Sequence, residues 1–163
     1  MPGFDKHIME ERAELLALIY LTRRDDLSAT RHPISYSSDI LVSLLESGRD
    51  RERTFGVEVE GVVSEKDVRT HSARWHQRTL QAGQGAYGIM PVCLFVFVME
   101  GDQGYWRWIQ EPAVHEGRSD LVFNPNMTLR RLDNTEPPKA EELTKIITAV
   151  NAWYDSRRVL VTA

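Results

Sequence analysis

Hydrophobic and polar positions change rhythm several times along this chain, and each change marks an element. From Lys6 to Arg24 the apolar residues recur at helical spacing, with Leu15, Leu18 and Ile19 in one row and Glu14, Leu18 and Leu21 in the next. This predicts a first helix buried along Leu15, Leu18 and Ile19, with Glu14 at the edge of the stripe. Glu10 and Glu11 suit its N-terminal dipole end, and Arg23 and Arg24 suit the other. The rhythm then shortens. Leu27 to Arg31 reads as a short strand broken by His32-Pro33, and Asp39 to Glu46 reads as a second strand. Ser47-Gly48-Arg49-Asp50 reads as a turn. Thr54 to Val63 alternates with a period of two: Phe55, Val57 and Val59 face one way, and Gly56, Glu58 and Glu60 face the other.

Ser64-Glu65-Lys66-Asp67 has the form of a capping box and predicts a helix from Glu65 to Gln81, ended by the glycines at 83, 85 and 88. Val92 to Met99 is apolar throughout, as in a strand buried on both faces. After the turn Gly101-Asp102-Gln103-Gly104, Tyr105 to Gln110 returns as its hairpin partner, with Trp106 and Trp108 on one face. Residues 121–123 and 129–132 read as short edge strands. Pro137-Pro138 opens a last helix whose buried face is Leu143, Ile146, Ile147, Val150 and Trp153. Helix, strands, helix, strands, helix predicts an α/β (or α+β) domain with a single mixed sheet flanked by helices.

Composition narrows the classes. At 163 residues and 42% hydrophobic, the chain is long enough for one domain with a real core, taken as residues 1–163. A net charge of −4 argues against a uniformly basic nucleic-acid binder and leaves room for a local basic face. Two arginine clusters, Arg49/Arg51/Arg53 and Arg69/Arg74/Arg78, are candidates, each also readable as solvated surface. The single cysteine, Cys93, rules out an internal disulfide and a cysteine-based zinc site, and its apolar setting predicts an inert core thiol. His71 and His76 are wrongly spaced for a metal pair on one helix face. The polar opening residues predict no secretory leader, and residues 92–99 are too few to span a bilayer as a helix. The expected setting is cytoplasmic, reducing and without a membrane.

The candidate chemistry lies in carboxylates set in apolar strands, which are costly to bury without a partner. Asp39 stands at the head of Ile40-Leu41-Val42, and Glu58 and Glu60 stand in Val57-Glu58-Val59-Glu60-Gly61. Carboxylates at i and i+2 point the same way, and one on a neighbouring strand can approach them. Such a set supplies hard oxygen ligands to Mg²⁺ or Mn²⁺ for phosphodiester hydrolysis. The alternative readings are plain: Glu58 and Glu60 as a solvent face paired with Arg51 or Arg53, Glu14 as a helix-surface acid, and Asp39 as a strand-start cap.

The order Glu14 on a helix, Asp39 on a strand, Glu58-x-Glu60 on the next strand, then a helix, resembles the PD-(D/E)XK nuclease superfamily. It is closest to an uncharacterised bacterial family with G-E-x-x-A, G-I-D-L and V-Q-V-K motifs, followed by an apolar strand and a Tyr-Trp segment. Ala13-Glu14-Leu15-Leu16-Ala17, Ser38-Asp39-Ile40-Leu41-Val42, Val57-Glu58-Val59-Glu60-Gly61, Val92 to Val98 and Tyr105-Trp106 carry the likeness, over residues 8–111. The resemblance implies a restriction-endonuclease-like core, with Glu14, Asp39 and Glu58 as ligands to Mg²⁺ or Mn²⁺, a link to DNA, and roles in defence, repair or mobile elements. Three departures stand out: Ala13 for glycine, Ser38 for isoleucine, and Glu60 for the motif lysine. The last reverses a charge. It favours a degenerate domain that binds nucleic acid or protein. The alternative is an active Mg²⁺-dependent DNA endonuclease whose catalytic set is Glu14, Asp39, Glu58 and Glu60, with the missing cation supplied by Lys66 or Arg69. A third reading is a small homo-oligomeric α/β protein anchored through Trp106 and Trp108.

Overall fold

The computed structural model describes residues 5–31, 38–70, 85, 87–124, 128–133 and 140–162. The His32-Pro33 break, the continuation of the second helix past Thr70 with its arginines and histidines, Gly83 and Pro137-Pro138 lie outside these residues.

The elements run α1 (Lys6–Thr22), β1 (Leu27–Arg31), β2 (Ile40–Glu46), β3 (Arg49–Val62), α2 (Glu65–Thr70), β4 (Val92–Val98), β5 (Gly104–His115), β6 (Arg118–Val122), β7 (Arg130–Arg131) and α3 (Glu141–Thr162). They form an α/β fold with one mixed, seven-stranded sheet in the order β1-β2-β3-β4-β5-β6, with β7 also on β5. The first three strands are an antiparallel meander. Ser47 and Gly48, at φ 51° and 75°, turn β2 tightly into β3, so β3 starts five residues earlier than the alternation indicates. β3 and β4 are parallel, the pairing that demands a crossover, and α2 lies on it. β5 returns antiparallel to β4. Trp106 on β5 stands opposite Phe95 of β4 and Arg130 of β7, while the second half of β5 pairs with β6.

The alternation of β3 divides the interior. Phe55, Val57 and Val59 join Cys93, Phe95, Trp106 and Trp108 in a large core under α1 and α3, closed by Leu143, Ile146, Ile147 and Val150. Val62, Leu94, Val96, Val98 and Ile109 form a smaller core on the other face, beneath Val68 of α2. Every residue of β4 is buried, as its unbroken apolar run requires.

Two expectations need correction. The buried residues of α1 are Ala13, Ala17, Tyr20 and Leu21, whereas Leu15 and Ile19 are 48% and 54% exposed. Small side chains decide this. Ala13 and the missing side chain of Gly61 let the helix backbone settle onto β3, and a Cβ on Gly61 would stand 2.8 Å from the Met9 carbonyl oxygen. The second correction concerns Trp106 and Trp108. They stack edge to face, with centroids 5.4 Å apart, and are 4% and 6% exposed, so neither is at the surface to anchor an interface.

Candidate functional site

The first acidic group gathers at one corner of the sheet. β3 runs on beyond the start of β2, whose last pair there is Ile40 with Val57. The next inward amide, Val59 N–H, needs an acceptor, and Asp39 Oδ2 supplies it at 2.8 Å. Asp39 is therefore the cap of the β2 end. Glu14, on α1, takes an ion pair from Arg31 Nε at 3.3 Å, and Arg31 Nη1 donates to Glu11 at 2.9 Å. Burial raises the Glu14 pKa above its usual 4.5, and the charge of Asp39 raises it further against the pull of Arg31. Glu14 and Asp39 are thus near enough to repel each other.

Glu58 and Glu60 are elsewhere. They alternate with Val57 and Val59, which meet α1, and so project from the opposite face with Val62. Both are buried, 9% and 6% exposed, and both have bonding or electrostatic partners. Across the ladder Glu58 stands opposite Leu94 and Leu94 opposite Arg107; Glu60 stands opposite Val96 and Val96 opposite Tyr105. Arg107 is 4% exposed, and burial lowers its pKa. Its guanidinium donates to the carbonyls of Trp108 and Asn124.

On this face the Tyr105 hydroxyl donates to Glu65 of α2. Burial and Glu65 raise the phenol pKa, while Arg131 and Arg69 lower it, so both guanidiniums lie within electrostatic reach. Arg69, Arg131 and the exposed Lys66 make no ion pair among the described residues. Asp67 closes the capping box by accepting from Ser64 N at 3.0 Å and Ser64 Oγ at 3.1 Å. A cleft of about 320 Å³ opens between Lys6, Met9 and Glu10 of α1, residues 60–63 at the end of β3, and Asp67.

The structure brings Glu14 to Asp39 and sets Glu58 and Glu60 on the other face. Among the described residues no three or more His, Cys, Asp or Glu side chains are grouped to hold a metal ion. Of the donors that the nuclease likeness assigns to Mg²⁺ or Mn²⁺, Asp39 accepts the Val59 amide through Oδ2, Glu14 pairs with Arg31, and Glu58 lies on the sheet face opposite α1.

The sequence neighbourhood of Arg53 predicts a solvated arginine, yet it is 2% exposed. It donates to Asp155 at 2.6 Å and to Asn151 Oδ1 at 2.8 Å, and Tyr154 bridges Thr54 N and O beside it, so the pair docks α3 on β3. The signal was in the alternation: Arg53 shares the parity of Phe55 and Val57.

The molecule is an α/β protein with a parallel β-α-β step inside an otherwise antiparallel sheet. No protein-family model, no curated protein and no solved structure matches this chain. Among the described residues no helix is long and apolar enough to cross a membrane.

Proposed function

We propose that this chain is a PD-(D/E)XK-like domain that binds nucleic acid without cleaving it, in a reducing cytoplasmic setting. The observation that carries the reading is the division of the acidic set. Glu14 and Asp39 are committed to Arg31 and to the Val59 amide, and Glu58 and Glu60 project from the other face. Metal-assisted hydrolysis requires ligands that converge on one ion beside the phosphate. The family part of the reading is supported by order along the chain: Glu14 on α1, Asp39 at the head of β2, Glu58 and Glu60 on β3, then α2 and the buried β4. The binding part is supported by Arg69 and Arg131, cations near Tyr105, and by the exposed Lys66 of α2, none of which makes an ion pair among the described residues. Phosphate contacts of this kind supply affinity without sequence choice.

The test is incubation with single- and double-stranded DNA in Mg²⁺ or Mn²⁺, followed by gel-shift titration. We expect intact DNA and binding that weakens steeply with salt. Replacing Lys66, Arg69 and Arg131 together by alanine is expected to lower affinity by about tenfold or more. Glu60→Lys places an ammonium at a 6% exposed position and is expected to lower stability without creating cleavage. Absence of DNA binding would turn the reading to a protein ligand. One observation favours a second reading, an active endonuclease: Glu14 and Asp39 are electrostatically coupled, as a shared site requires. Metal-dependent cleavage that vanishes in Glu58→Ala, and weakens in Lys66→Ala or Arg69→Ala, would establish it.

A further inference from the structure

The outer face of α1 carries large aliphatic side chains that nothing among the described residues covers. Ile8, Leu15 and Ile19 are 61%, 48% and 54% exposed, and at 100° per residue they fall in one narrow strip. Charges flank it. Asp5, Arg12 and Arg23 line one side, and Glu11 lines the other. The two charges nearest the middle already have partners within the chain: Arg12 pairs with Asp102 at 2.6 Å, and Glu11 pairs with Arg31 at 2.9 Å. Arg23, at the C-cap, has no ion pair among the described residues, and Asp5, at the N-cap, uses Oδ1 for His7 N and Ile8 N.

We propose that α1 packs against α1 of a second copy of this chain, antiparallel, about a two-fold axis crossing the helix near Glu14. A two-fold axis demands that the paired features share one midpoint. They do: Ile8 and Ile19 are centred between Ala13 and Glu14, and Asp5 and Arg23 are centred on Glu14. Antiparallel packing lays each flank along the same flank of the second helix, reversed end to end. Asp5 then meets Arg23 of the second copy, twice by symmetry. Ile8 meets Ile19, and Leu15 meets itself close to the axis. Parallel packing loses this, because Asp5 and Arg23 lie roughly 27 Å apart along the helix. The opposed helix dipoles act in the same direction as the charges. Three side chains make a strip narrower than the about 800 Å² per partner of a standard interface, so the dimer is weak and concentration-dependent. This inference is independent of the nucleic-acid reading.

Sedimentation equilibrium across a wide concentration range tests it. The parent chain is expected to show a monomer–dimer equilibrium. Leu15→Glu is expected to weaken association by about 100-fold. Arg23→Glu is expected to weaken it by about tenfold, and adding Asp5→Arg to restore it, with circular dichroism confirming that the helix persists. Cysteine cross-linking reads the direction, and the native Cys93 is buried and silent. Leu15→Cys should link to itself under oxidation. Ile8→Cys should not, but should link when mixed with Ile19→Cys. A chain monomeric at every concentration, a dimer indifferent to Leu15→Glu, or self-linking Ile8→Cys would each overturn the proposal.

Discussion

At the scale of single residues, burial and partners divide the acids more sharply than their spacing does. Glu14 is the case with a measurable sign. Its pKa is raised in the fold, so the native state holds that proton more tightly than the unfolded chain does. Ionised Glu14 therefore costs stability at neutral pH, and the cost is relieved as pH falls through the raised value, above 4.5. Its partly solvated ion pair with Arg31 offsets some of this. Glu14→Gln is expected to unfold within about 0.5 kcal/mol of the parent at pH 7, and to lack the parent's relative gain on mild acidification. Urea melts at pH 7 and pH 5 measure both. A loss beyond about 2 kcal/mol would mean that the Arg31 pair outweighs desolvation. Asp39 is legible as either a ligand or a strand-start cap, and its Oδ2 accepts the Val59 amide as a cap does. No periodicity in a sequence reports which backbone group will be left at the end of a ladder.

At the scale of elements, β4 and α3 were the most legible. Seven consecutive buried residues leave β4 no amphipathic alternative, and Leu143, Ile146, Ile147, Val150 and Trp153 repeat too regularly to face water. α1 buries its small side chains, where periodicity of the large ones predicts the opposite face. Ala13 and Ala17 bury less surface than Leu15 and Ile19, but they permit close approach, and Gly61 provides the matching floor. The same small residues divide the site. Which face of β3 α1 would choose was unknown, so Glu14 could be imagined beside Glu58. The close approach carries a prediction: Gly61→Ala places a Cβ 2.8 Å from the Met9 carbonyl oxygen and 3.4 Å from the Ala13 Cβ. Neither atom is the free end of a flexible side chain. The variant is expected to lose about 1–3 kcal/mol in urea denaturation, with α1 displaced and its amides exchanging faster. Unchanged stability would mean that α1 floats more loosely than its packing indicates.

At the scale of the whole molecule, the sheet is a shared wall between two interiors of unequal size. The larger carries both long helices, both buried tryptophans and the buried Arg53, and the smaller carries the buried charges Glu58, Glu60 and Arg107. One wall with buried charge on both sides is a departure from a simple hydrophobic sandwich, because each buried ion requires a partner to remain there. The mixed sheet itself was readable from element order. Its parallel step follows from placing a helix between β3 and β4, where a hairpin cannot reach.

The sealing of β4 gives the chain a built-in clock. Cys93 is its single cysteine, wholly buried between Val57 and Trp108, with its thiol pKa pushed up by burial and its Sγ 3.8 Å from the Gly56 carbonyl oxygen. A thiol reagent can reach it only when the centre of the sheet opens, so modification keeps time with excursions of the entire molecule. In excess reagent, labelling of the folded chain is expected to lag a denatured control by a factor that tracks the unfolding equilibrium, and Gly61→Ala should shorten the lag by the factor that its urea melt gives. Labelling as fast as in the denatured chain would reveal that β4 parts from its neighbours while the remainder stays folded.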